Sequence, residues 1–146
     1  PGEGVLTSRA PGGDERRDVA FGWEIAKGVA GLDVGQSVVV KNRAVVAVEA
    51  VEGTDGAIER GGQLAGKGTT VVKVAKPNQD LRFDVPTVGP ETIRAMERAG
   101  ATCLALEAGL TLVLDRDELV PAADRAGISV VLEAGRAPAG EVEDSP

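Results

Sequence analysis

The sequence predicts an α/β domain, with α+β as the alternative: a mixed β-sheet with a central hairpin and flanking helices. Three observations lead there. Short apolar runs such as Thr70-Val71-Val72-Lys73-Val74-Ala75 and Thr102-Cys103-Leu104-Ala105-Leu106 have the length and composition of buried strands. Between them lie stretches with helical spacing, the clearest being Pro90-Glu91-Thr92-Ile93-Arg94-Ala95-Met96-Glu97-Arg98-Ala99. The two kinds of segment alternate along 146 residues, enough for a domain with its own core.

Residues 1–13 are rich in Gly and Pro and poor in apolar side chains, so they read as a linker or arm and not as a core element. The domain proper is expected over 14–133. Asp14 and Glu15 open a helix whose positive end they favour, and Val19, Trp23, Ala26 and Val29 supply its apolar face up to Gly31. Gly22 and Gly28 weaken it, so packing has to support it. The runs 36–40 and 44–49 flank Lys41-Asn42-Arg43 and form a hairpin, with Asn42 suited to the turn. Both strands are apolar on both faces, which places the pair centrally in the sheet. Thr54 is the expected N-cap of a helix to about Ala65, weakened by Gly61-Gly62. A strand over 70–75 follows. Pro90 suits the first turn of the next helix and Gly100 its end. Strands at 102–107 and 111–114 lead to a helix that Pro121 should disturb, then to a last strand at 128–132. Residues 134–146 read as a disordered acidic tail.

Composition excludes several functions. The net charge of −7 argues against an unspecific nucleic-acid binder, which needs a basic face. There is no His and no Tyr, so a Ser-His-Asp triad, a Cys-His pair and histidine-bound zinc are all absent from this sequence. The lone Cys103 sits in a strand pattern and reads as a buried thiol. Acid–base chemistry is left to carboxylates, Lys, hydroxyls or a metal-bound water, and oxygen ligands favour a hard cation such as Mg²⁺. No apolar run reaches the roughly 20 residues of a membrane span. The chain begins at Pro1, which points to a piece of a longer protein.

The densest polar chemistry lies in Lys76-Pro77-Asn78-Gln79-Asp80-Leu81-Arg82-Phe83-Asp84-Val85-Pro86-Thr87, at the end of a predicted buried strand. Alpha/beta proteins bind ligands at such strand ends. Asp80 and Asp84 suit a metal ion or activation of a water; the competing reading is a turn neutralised by Arg82 and Lys76. Lys76 and Arg82 suit phosphate oxygens, Arg82 through its two-pronged guanidinium. The helix start at Glu52, Thr54 and Asp55 offers N–H groups to an anion, unless Thr54 and Asp55 only stabilise the helix. Thr87 and Gly89 allow the same at the next helix.

These patterns, Glu52-Gly53-Thr54-Asp55 and Lys-Pro-x-Gln-Asp-x-Arg-x-Asp-x-Pro-Thr over 76–87, together with Phe21-Gly22-Trp23, the stretch 32–40, Ala108-Gly109 and 124–128, give the chain a family likeness. From about Gly2 to Leu132 it resembles the C-terminal domain of the UDP-2,3-diacylglucosamine pyrophosphatases of lipid A biosynthesis, once a domain of unknown function. Pro121 and the tail match no feature of that pattern. The resemblance implies Mg²⁺-dependent hydrolysis of UDP-2,3-diacylglucosamine to UMP and 2,3-diacylglucosamine 1-phosphate. It also implies an N-terminal domain forming the other wall of the cleft, and a place at the cytoplasmic face of the inner membrane, where the lipid substrate lies. Asp80 and Asp84 would be metal ligand and general base in either order. Lys76, Gln79 and Arg82 would hold phosphate oxygens, with Thr54 and Thr87, and Asp55 and Glu52 would support the metal. A homodimer is compatible. The alternative is a non-catalytic phosphate-binding or dimerisation module.

Overall fold

The computed structural model describes residues 3–77 and 85–134. In chain order these form β1 (Gly4–Val5), α1 (Gly13–Gly31), β2 (Ser37–Lys41), β3 (Ala44–Val48), α2 (Gly53–Ala65), β4 (Thr70–Lys73), β5 (Thr87–Val88), α3 (Pro90–Ala99), β6 (Cys103–Glu107), β7 (Leu112–Val113), α4 (Arg116–Ala126) and β8 (Ser129–Glu133). The main sheet runs β1-β8-β6-β4-β2-β3, and β5 and β7 pair in a small second sheet. Strands β4, β6 and β8 are parallel, and β2 runs antiparallel to β4. Parallel neighbours need long crossovers, and α3 and α4 supply them.

Alternating side chains divide the core into two layers. Val38, Val40, Val72 and Cys103 face α1 through Val19, Trp23 and Ala26. Val39, Val71, Leu104 and Val130 face Ile58, Ile93, Met96 and Leu119 from α2, α3 and α4. The result is an α/β domain with a mixed sheet between helices, as expected. Cys103 is buried, and loss of solvation pushes its thiol up to about 12, so it is an inert core residue.

The helix glycines are contact points. A Cβ on Gly61 would lie 2.6 Å from Val39 Cγ1, and one on Gly62 would lie 2.5 Å from the Ala99 carbonyl oxygen. The low helix propensity of α2 is therefore the condition for its close approach to β2 and α3.

Four expectations change. The hairpin is not central: β3 is the outer strand of the sheet, with Ala44 and Val45 exposed. Its turn uses two left-handed residues, Asn42 and Arg43, whose N–H groups donate to the buried Asp18 carboxylate at 3.1 and 2.7 Å. The arm is docked: β1 pairs with β8, and Arg9 donates to Glu15 and to the Thr102 carbonyl. Pro121 lies inside a continuous α4, on its exposed side, where one missing donor is tolerated. Thr54 lies inside α2, after an N-cap at Glu52, because its hydroxyl is engaged elsewhere. Of the tail read over 134–146, Ala134 donates its N–H to Glu3 Oε2 at 3.1 Å, and residues 135–146 lie outside the described residues.

Candidate functional site

The carboxyl ends of β4, β6 and β8 lie along one rim of the sheet, joined there by the start of β2 and the starts of α2 and α3. At its centre is Lys73, the last residue of β4. It follows Val72 and shares the side of Val71, so its side chain points into the α2–α3 layer. Only 8% of it is exposed. Its Nζ donates to Thr54 Oγ1 at 2.9 Å and to the Thr87 carbonyl at 3.0 Å. Burial holds the ammonium below the usual lysine range, against the pull of Glu49 and Asp55.

The Thr54 hydroxyl is saturated. It accepts from Lys73, donates to Glu49 Oε1 at 3.2 Å, and lies 3.2 Å from Ser37 Oγ, which can donate to it. Thr54 thus links α2 to β2 and β4. One residue on, burial raises the Asp55 carboxyl above its ordinary value, with Lys73 opposing and Glu59 and Glu91 adding to the rise. Half-buried at the rim, Asp55 has the chemistry of a cation ligand: an oxygen donor poorly solvated by water. Glu52 does not share that chemistry here. Its Oε1 accepts from the Ala50 N–H at 2.8 Å and its Oε2 from Arg60 at 2.5 Å, and Arg60 holds its carboxyl low.

Lys76 makes a 2.5 Å ion pair with Asp33 in the turn after α1. Thr87 turns its hydroxyl to the Val85 carbonyl at 3.1 Å and offers its own carbonyl to Lys73. Gln79, Asp80, Arg82 and Asp84 lie outside the described residues. Among the described residues no three or more Asp, Glu, His or Cys side chains are grouped to hold a metal.

On the α1 side of the same rim sits a second polar node. Glu107, the last residue of β6, is 3% exposed and pairs with Lys27 at 2.6 Å. Glu107 accepts the Ala75 N–H at 2.9 Å, and Lys27 donates to the Ala75 carbonyl at 3.1 Å. Both backbone groups of Ala75 are thus gripped immediately before Lys76-Pro77. Where the chain returns, the Leu112 N–H donates to the Pro86 carbonyl at 2.8 Å. A shallow groove beside it is lined by Val85, Leu110 and Leu112.

Sequence reasoning missed Lys73 and Glu107. The available signal was a single charge in each otherwise apolar strand, at its carboxyl end, where an unpaired buried charge is improbable unless it has partners.

Comparison with known proteins gives two likenesses. Residues 2–131 match the family model of the LpxI C-terminal domain. The chain is 37% identical over 136 residues to the UDP-2,3-diacylglucosamine pyrophosphatase LpxI of Caulobacter vibrioides. That alignment covers 88% of this chain and 49% of the relative, so the chain spans about half the relative's length.

Proposed function

The chain belongs to the LpxI C-terminal domain family, and from that premise we propose that it forms the C-terminal half of a Mg²⁺-dependent hydrolase. The substrate is UDP-2,3-diacylglucosamine and the products are UMP and 2,3-diacylglucosamine 1-phosphate. The observation that carries the reading is the 37% identity to a relative bearing that enzyme's name, along 88% of this chain. The rim geometry supports it. A buried ammonium, a half-buried carboxylate and two helix starts surround the point from which the polar run leaves the sheet.

The chemistry asks for neutralised phosphate charge and an oriented water. Mg²⁺, when bound, supplies charge neutralisation and polarises a water. Asp55 at the start of α2, with Asp80 and Asp84 from the polar run, are the residues that would hold it. One of the two run aspartates would take the water's proton. Gln79 and Arg82 bind phosphate oxygens, and Lys76 joins them if it leaves Asp33. Lys73 places an ammonium beneath the rim, held by Thr54 and the Thr87 carbonyl. The apolar groove by Val85 and Leu112 offers a wall to the acylated part of the substrate. No described helix is long and apolar enough to cross a membrane. We place the enzyme at the cytoplasmic face of the inner membrane through its lipid substrate, with the other half of the protein closing the cleft.

The test uses the full-length protein and UDP-2,3-diacylglucosamine, with Mg²⁺ and with EDTA. Phosphorus NMR should show UMP and the sugar 1-phosphate only with Mg²⁺. No hydrolysis with Mg²⁺, or a different pair of products, contradicts the reading.

A further inference from the structure

Both ends of the β4–β5 connection meet at one atom. Lys73 ends β4, and 14 residues later the Thr87 carbonyl accepts a hydrogen bond from its Nζ. The same Nζ donates to Thr54 in the first turn of α2. We propose that Lys73 is a positioning residue: its ammonium ties the start of α2 to the start of β5 and so fixes Asp55 and the point where the chain re-enters the fold. The inference rests on the proposed function only for the site that is being positioned.

The sheet itself has no need of this charge. The backbone of β4 is laddered on both sides, to β2 and to β6, and Lys73 stands opposite Leu106. An apolar side chain would pack there without the penalty of burying an ammonium. The contacts that hold the charge are a neutral hydroxyl and a neutral carbonyl. Among the described residues no carboxylate approaches it within ion-pair distance, although Glu49 and Asp55 attract it. Hydrogen bonds to a charged donor in such a place are stronger than neutral ones. Thr54 has no hydrogen-bonding capacity left over, so its hydroxyl serves the tie instead of a ligand. The Glu107–Lys27 grip on Ala75 holds the other flank, so the connection is anchored at Ala75 and at Thr87 by two different cations.

The experiment compares the full-length protein with Lys73→Met, Lys73→Arg and, as a milder break of the same tie, Thr54→Val. Hydrogen exchange is followed on peptides covering 53–56 and 85–88, alongside kcat, KM and a melting curve. In Lys73→Met, exchange in both peptides should accelerate about tenfold or more, while α1 and β8 keep their protection. Turnover should fall ~30-fold or more, with KM within about threefold, because misplacement acts chiefly on the transition state. Lys73→Arg keeps a cation and should restore part of both, and Thr54→Val should show the same pattern more weakly. Unchanged exchange in both peptides, or a turnover loss no larger than the unfolded fraction, overturns the proposal. If the wild-type protein hydrolyses no UDP-2,3-diacylglucosamine, the proposed function fails, and the exchange comparison still decides the role of Lys73.

Discussion

Two lysines are drawn into the same rim of the sheet, and they are treated differently. Lys27 comes from α1 and meets Glu107 directly at 2.6 Å, so its charge is cancelled where it stands. Lys73 comes from β4 and is held by a hydroxyl and a carbonyl, with its carboxylates further away. The first node is closed and fixes backbone. The second holds its ammonium through neutral groups and faces a carboxylate, Asp55, that burial leaves reluctant to ionise. Cancelled charge suits a brace, while uncancelled charge suits a place where an anion is bound or developed.

The sharpest way to break the comparison is at the brace. Glu107→Leu removes the partner of Lys27 and the acceptor of the Ala75 N–H. It should cost about 3 kcal/mol in denaturant titration, since losing one member of a buried pair strands the other. A loss below about 1 kcal/mol would mean that Glu107 braces nothing. Gly62→Ala tests the α2–α3 packing on the Lys73 side of the sheet. A Cβ there would meet the Ala99 carbonyl at 2.5 Å, so the change should destabilise by about 1–3 kcal/mol despite alanine's better helix propensity. A gain in stability would show that α2 and α3 shift apart freely.

Asp55→Asn should behave in the opposite way to Glu107→Leu. Its carboxyl is raised in the folded state, so that contribution to stability is present below the unfolded value and is lost as pH rises through the raised folded value. At neutral pH the charged form is therefore a burden, and the amide should leave stability unchanged or slightly higher. Turnover of the full-length enzyme should nevertheless fall. A melting curve clearly lowered at pH 7 would make Asp55 structural. The smallest effect belongs to the docked arm. Burial works against ionisation of Glu15, but Arg9, the Gly12 N–H and the Thr102 hydroxyl outweigh it and hold the carboxyl low. The resulting stability is present above the ordinary glutamate value and is lost as pH falls through the lowered one. Glu15→Gln should flatten the pH dependence of unfolding in that acid window and leave activity at neutral pH intact.

The comparison also explains what was legible in the sequence. The strongly patterned elements were: α1, α3, and the strands β2, β4, β6 and β8 follow the expected segments within a residue or two. Local pattern could not place β3. Val and Ala on both faces look central, yet the strand forms the sheet's edge because order is decided by the crossovers, which local sequence does not encode. The two-residue strands β1 and β5 exist only through their partners β8 and β7, so nothing in their own residues announced them. The glycines of α2 read as weakness because the contact that requires them, with Val39 and Ala99, is remote in sequence. At the site, Asp55 and Thr87 were read from helix starts and from the family resemblance, and the structure places both residues at the rim. Lys73 and Glu107 were hidden inside strand patterns. Their partners, Thr54 at 19 residues and Lys27 at 80, become visible only in three dimensions.

The central claim is that this rim, with the polar run that leaves it, performs the hydrolysis. Asp84→Asn in the full-length enzyme tests it most directly, with kcat and KM measured at saturating Mg²⁺ beside a melting curve. A carboxylate that takes a proton or holds the cation acts mainly in the transition state, so kcat should drop ~10²–10⁴-fold with little change in KM or in melting temperature. Turnover within about threefold of wild type would contradict the account, since that is far below the loss expected for a general base.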